Sequence, residues 1–131
     1  MGGLVYDTGA LVAAGRGERA IWDLHRGALQ RSEAPLVIAP VLTLAWAATE
    51  RTGTRTETLA GFLRGCALTG FPIAAAYDAG LLLARSGTTD LATAAVVLAA
   101  ITTRSALVTT NPDAVRALAR ALAVQLPVAV V

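Results

Sequence analysis

Four polar residues of this chain have the side-chain chemistry to hold a divalent metal ion, namely Asp7, Asp90, Asn111 and Asp113. Each lies beside a short apolar run, where a strand would end or a helix would begin. Carboxylate and amide oxygens are preferred ligands of hard cations such as Mg²⁺ and Mn²⁺. Such ions can activate water and stabilise the transition state of phosphodiester cleavage. Metal-dependent hydrolysis is therefore the first chemistry to consider.

The elements around these residues predict an α/β fold with a mainly parallel sheet, because β-like runs alternate with helical runs. We expect about five strands and seven helices. The predicted strands are 4–6, 36–39, 71–74, 106–109 and 127–131, and the predicted helices are 8–14, 18–31, one beginning at Pro40, 54–68, 75–85, 91–103 and 112–123. Ligands of open parallel sheets bind at the carboxyl ends of strands. If strands 4–6 and 106–109 are neighbours, Asp7 and Asn111 converge at one edge.

A second interpretation of the same four residues is structural. Asp7 and Asp90 could simply cap the helices that follow them, and Asn111 before Pro112 is also a favourable cap. Asp113 in a first helical turn would interact favourably with the helix dipole. Both interpretations stay open, since a capping carboxylate can also bind a metal.

The composition favours one domain spanning residues 1–131, with 55% hydrophobic and 15% charged residues. Apolar runs 34–49 and 91–103 are too interrupted or too short to span a membrane. The first residues lack a basic signal-peptide region, and Cys66 is the only cysteine, so a cytoplasmic location is expected. The net charge of +2, carried by scattered arginines, does not by itself argue for nucleic acid. The only histidine, His25, is predicted to lie on the surface of helix 18–31, so no catalytic histidine is expected.

Four segments resemble the successive signatures of the PIN-domain family, which includes the VapC toxin ribonucleases. The four segments begin at Val5 (VYDTGALVA), Ala39 (APVLTLA), Gly87 (GTTDLATA) and Leu107 (LVTTNPD). Their order covers nearly the whole chain. The resemblance implies a three-layer fold, with a central parallel sheet of about five strands between helices. It also implies a site where about four acids hold one or two Mg²⁺ or Mn²⁺ ions for RNA cleavage.

When the acidic positions of the family are mapped onto this sequence, the set of acids is incomplete. Asp7 matches the first acid of the family, but the second, third and fourth positions fall on Trp46, Thr93 and Asn111. Threonine and asparagine offer only neutral oxygens, and tryptophan offers none. The resemblance therefore implies a degenerate metal site with weak affinity for the ion.

Three other residues could compensate for the missing acids. Asp90 matches an acid one helical turn before the third position, and Asp113 matches one beyond the fourth. Glu50 lies one turn after Trp46 and is a weaker candidate, since its carboxylate would sit about 5–6 Å along the helix axis. Trp46 itself would either fill space left by lost ligands or offer a stacking surface for a base.

Two hypotheses of function follow, with a third possibility about the fold. The first is a non-catalytic PIN-like protein that binds a partner protein such as an antitoxin, a second copy of itself, or RNA. The second is a weak Mg²⁺- or Mn²⁺-dependent endoribonuclease that uses Asp7 and Asp90 as catalytic ligands, with help from Asn111 or Asp113. The remaining possibility is an unrelated α/β domain with a similar order of elements.

Overall fold

The structure is a computed structural model, and it describes residues 3–131. Twelve elements follow one another in this part of the chain: β1 (Leu4–Tyr6), α1 (Thr8–Gly15), α2 (Arg19–Gln30), β2 (Leu36–Ile38), α3 (Ala39–Arg51), α4 (Thr56–Leu63), β3 (Ala67–Thr69), α5 (Ile73–Ser86), α6 (Leu91–Thr103), β4 (Ala106–Thr109), α7 (Pro112–Ala121) and β5 (Val128–Val130). The predicted five strands and seven helices are confirmed for the described residues.

The five strands form one parallel sheet in the order β3-β2-β1-β4-β5. Strand β1 is central, and Val5 pairs with Leu36 of β2 on one side and with Leu107 of β4 on the other. Strands β1 and β4 are neighbours, which is the arrangement required for Asp7 and Asn111 to converge. The residues that follow these two strands consequently lie at the same edge of the sheet.

Helices cover both faces of this sheet. Tyr6 packs against His25 of α2 and Phe62 of α4, which places these two helices on one face. Side chains alternate along a strand, so Val5 and its register partner Leu36 face the other side. Helix α6 covers that second face and α5 packs against α6. The result is an α/β three-layer architecture, a PIN-like fold with a parallel central sheet.

The third strand lies four residues earlier than predicted. The apolar run 71–74 was expected to form it, but Ala67–Thr69 does, and α5 already begins at Ile73. Strand β3 is an edge strand whose three residues are all exposed, so it lacks the apolar pattern of a buried strand. Pro72, whose missing N–H costs nothing at a helix start, is the N-cap residue of α5.

The prediction for His25 was also wrong. His25 is 2% exposed and belongs to an aromatic cluster with Tyr6, Trp22 and Phe62. Its ring stacks on Phe62 at a centroid distance of 3.9 Å. His25 lies four residues after buried Ile21, on the core-facing stripe of α2, and helical periodicity therefore takes it inside.

No single helix within residues 3–131 is long and apolar enough to cross a membrane. Helices α5 and α6 meet the requirements of length and composition only together, as a pair bent by 115°.

Candidate functional site

Asp7 is the centre of the candidate site and occupies the turn between β1 and α1. Its Oδ1 accepts a hydrogen bond of 2.8 Å from the backbone N–H of Ala10, so Asp7 is the N-cap of α1. Burial raises the pKa of the Asp7 carboxyl. The Thr109 hydroxyl and the Ala10 and Gly9 N–H groups favour its charged form, whereas the charge of Asp90 disfavours it. Asp7 and Asp90 are thus near enough to interact.

Asp90 is exposed and caps α6 with both carboxylate oxygens. Oδ1 accepts from the backbone N–H of Thr93 at 3.1 Å, and Oδ2 accepts from the Thr93 hydroxyl at 2.6 Å. The hydroxyl of Thr93, at the position where the family resemblance expects the third acid, therefore serves the cap. A metal ion at Asp90 would have to compete with these two bonds or use the remaining lone pairs.

Asn111 and Asp113 lie at the start of α7, after β4. Asn111 is the N-cap residue, and its Oδ1 accepts from the N–H of Ala114 at 3.5 Å. Its own backbone N–H donates to the Thr109 hydroxyl at 2.9 Å, which ties this turn to the residue beside Asp7. Asp113 is exposed in the first turn of the helix. The capping role that the sequence allowed for Asn111 is present.

Trp46, at the position where the family resemblance expects the second acid, is partly buried and packs against the hydrophobic core from α3. Glu50, one turn further along, is exposed. No three His, Cys, Asp or Glu side chains within residues 3–131 lie close enough to share a metal ion. In that part of the chain, neither Glu50 nor Asp113 completes a three-carboxylate group with Asp7 and Asp90.

Two residues at this edge were not selected by sequence reasoning. Gly9 lies so close to Thr110 that a Cβ at position 9 would collide with the Thr110 hydroxyl. The missing side chain of Gly9 lets the β4–α7 turn pack over the first turn of α1. Thr8 has a buried hydroxyl without a hydrogen-bond partner among the described residues. The glycine at position 9 was a sequence signal for this close approach. Glycine is unfavourable within a helix, so its presence there indicates a packing reason.

A solved structure resembles this fold over nearly the whole chain. It is the crystal structure of VapBC2 from Rickettsia felis bound to a DNA fragment from their promoter. One chain of that structure superposes on this protein with a TM-score of 0.73 and 15% sequence identity. The superposition covers 98% of this chain and 98% of the matched chain. No protein-family model and no curated protein sequence matches this chain. The likeness defines the class of fold, which is the PIN-like class that the four segments implied.

Proposed function

We propose that this chain is a degenerate member of the PIN-domain family, related to VapC toxins, that acts by binding and not by efficient catalysis. The observation that carries the proposal is the fate of the three positions where the resemblance expects acids. Trp46 packs on the core, Thr93 completes the cap of α6, and Asn111 caps α7. Each residue has a structural role that needs no metal ion.

The donor set fits a divalent cation poorly. Asp7 and Asp90 supply two carboxylates, both already accepting hydrogen bonds at helix starts. Burial raises the pKa of Asp7, which makes its anionic form costlier to hold. Mg²⁺ gives up its water shell reluctantly and depends on anionic ligands to offset that loss. If Mg²⁺ or Mn²⁺ binds, we expect Asp7 and Asp90 to hold it weakly, with Asn111 or Asp113 contributing.

A binding role is supported by an apolar stripe on α5. Ile73, Tyr77 and Leu81 follow one another at intervals of four residues, on the same side of the helix. They are 75%, 77% and 52% exposed. Exposed apolar side chains in such a row are typical of interaction surfaces. We propose that this α5 stripe is buried in a homodimer or against a partner protein.

The setting we propose is a toxin–antitoxin pair. The structural neighbour is one chain of a VapBC2 complex on promoter DNA, and a chain of the same fold would suit an antitoxin-like partner. RNA, bound without cleavage, is a further ligand in this proposal. A cytoplasmic location and a single PIN-like domain over residues 1–131 belong to the same proposal.

One observation favours the second candidate function, a weak metal-dependent ribonuclease. The charge of Asp90 contributes to the raised pKa of Asp7, as expected when two carboxylates repel each other. Paired carboxylates become better ligands when a cation neutralises their repulsion. In this case Mn²⁺ would support cleavage better than Mg²⁺, since a site with few carboxylates needs a metal that tolerates other ligands.

The deciding experiment is cleavage of a mixed pool of structured RNAs, tRNA included, with Mn²⁺ or Mg²⁺. The protein is compared with Asp7→Asn, whose amide oxygen can still cap α1. We expect no cleavage by either folded protein. Cleavage that disappears in Asp7→Asn would instead establish the nuclease and refute the binding-only proposal.

A further inference from the structure

A pocket of about 500 Å³ lies beside Asp90, between the end of α5, the start of α6 and one face of α7. Two arginines line it from different helices, Arg85 of α5 and Arg120 of α7. Neither residue was singled out by its place in the sequence. The pocket is thus formed only when the last turn of α5 and the last turn of α7 come together.

Neither arginine has a carboxylate partner among residues 3–131, because the ion pairs found there involve Arg16, Arg19, Arg26 and Arg31. The carboxylate of Asp90 also lines the pocket, but Thr93 bonds both of its oxygens. Two guanidinium groups and one carboxylate leave this lining with a net charge of +1. The pocket is therefore suited to an anion.

The turn between α5 and α6 adds a hydroxyl donor to the lining. Gly87 ends α5 in the left-handed conformation, with φ of 73°, and this brings Thr88 to the pocket next to Arg85. The Thr88 oxygen accepts from the backbone N–H of Asp90 at 3.1 Å. Its own O–H has no acceptor among residues 3–131 and can donate to a ligand, since a hydroxyl both accepts and donates.

Small residues on α7 leave room for a ligand between the two arginines. The lining from α7 includes Ala114, Ala117 and Ala121, spaced three and four residues apart on one side of the helix. A larger side chain at position 117, which is exposed, would occupy the pocket without changing its charge.

We propose that this pocket binds a phosphate group, supplied either by a free nucleotide or by a nucleic-acid backbone. A guanidinium matches phosphate with two parallel hydrogen bonds. Two guanidinium groups and the Thr88 hydroxyl form three sets of donors, which suits the several acceptor oxygens of a phosphate better than the two of a carboxylate. The inference rests on the proposed function, because it names a ligand class for a site that binds without cutting.

The test is fluorescence anisotropy with a labelled single-stranded oligoribonucleotide, in EDTA so that metal-dependent cleavage cannot occur. Arg85→Gln and Arg120→Gln should each weaken binding about tenfold, the loss expected for a charge-assisted hydrogen bond. Each should also reduce the slope of log affinity against log salt by about 0.7, the value for one lost phosphate contact on a single strand. Ala117→Leu, which blocks the pocket sterically, should weaken binding to a similar extent.

Arg116→Gln is the matched control, since Arg116 lies one turn before Arg120, is exposed and does not line the pocket. It should bind RNA like the unchanged protein. If Arg116→Gln and Arg120→Gln weaken RNA binding equally, the loss reflects the net charge of the protein and not the pocket, and the proposal is overturned. Unchanged binding by folded Ala117→Leu would overturn it as well.

Competition identifies the source of the phosphate. Displacement of the RNA by 5′-AMP and by inorganic phosphate assigns the pocket to a free nucleotide, whereas displacement by unlabelled RNA alone assigns it to the backbone. An acidic peptide that competes as well as RNA would refute the phosphate assignment. Cleavage in Mn²⁺ would refute the proposed function and leave the binding result in EDTA intact, so the two failures are distinguishable.

Discussion

The hydroxyl of Tyr6 lies 2.9 Å from Nδ1 of His25, in a buried hydrogen bond between the central strand and α2. Tyr6 directly precedes Asp7, so this bond helps to fix the strand end from which the candidate site begins. Burial raises the pKa of Tyr6, which keeps its hydroxyl protonated and able to donate. When neutral His25 carries its proton on Nε2, its Nδ1 accepts the hydrogen bond from the Tyr6 hydroxyl.

Folding stability should therefore fall in mild acid. Burial lowers the pKa of His25, the charge of Arg26 lowers it further, and the backbone of Phe62 partly opposes both effects. The unfolded chain binds a proton at His25 below about pH 6.5, whereas the folded chain, whose His25 pKa is lowered, binds it only at a lower pH. The unfolded state then binds more protons, and the free energy of unfolding decreases as the pH falls through that value.

Urea unfolding at pH 7.5 and pH 5.5 measures this dependence. His25→Phe, which keeps an aromatic ring beside Phe62, is expected to remove most of the difference between the two pH values. An equal pH dependence in His25→Phe would assign the effect to carboxylates instead.

Gly9 and Thr110 should be energetically coupled, because a Cβ on residue 9 collides with the Thr110 hydroxyl. We expect Gly9→Ala to destabilise the protein although alanine is the better helix former. In the Thr110→Ala background the same change should be less harmful, by a coupling free energy of about 0.5–3 kcal/mol. A double-mutant cycle from urea unfolding gives this value. Additive effects would contradict the close packing of the two turns.

The α5 stripe predicts self-association or partner binding. Tyr77→Glu and Leu81→Glu place charges on a surface that we expect to be covered, so a homodimer should dissociate to monomers in sedimentation equilibrium. Asp78→Lys, on an exposed neighbouring position of the same helix, is a control for general charge effects. If the unchanged protein is monomeric, the homodimer is ruled out, and the α5 stripe would have to be covered by a different partner protein.

Restoring acids should rebuild metal affinity if the family positions have been carried over correctly. We expect Thr93→Asp with Asn111→Asp to bind Mn²⁺ at least about tenfold more tightly than the unchanged chain, a gain of about 1.4 kcal/mol. Without metal the added carboxylates repel Asp7 and Asp90, so the melting temperature should fall and then recover on addition of Mn²⁺. Calorimetric titration and thermal unfolding measure the two effects. A folded variant that gains no affinity would show that the four positions do not converge on one ion.

The regular elements were predictable where local chemistry was strong. The run Leu4–Tyr6, the start of α7 at Pro112 and the caps at Asp90 and Asn111 follow from apolar pattern and capping preference. Strand β3 was not predictable in this way, because an exposed edge strand needs no apolar side chains. Its position is decided by pairing with β2. The paired residues Leu36 and Ala67 are 31 residues apart in sequence.

The sequence by itself determined the class of fold and placed Asp7 between β1 and α1. An apolar strand, an acidic residue and a helix start in direct succession allow few other positions for the Asp7 side chain. The resemblance to the PIN-domain family also implied, as a prediction, that acids are absent at Trp46, Thr93 and Asn111. Only the tertiary structure decided that His25 is buried, that Gly9 lies under Thr110, and that Arg85 and Arg120 line one pocket. The contacts of Gly9 and of the two arginines depend on packing between segments distant in sequence, about which periodicity within one segment carries no information. Periodicity is compatible with a buried His25, but only its packing against Tyr6 and Phe62 decides it.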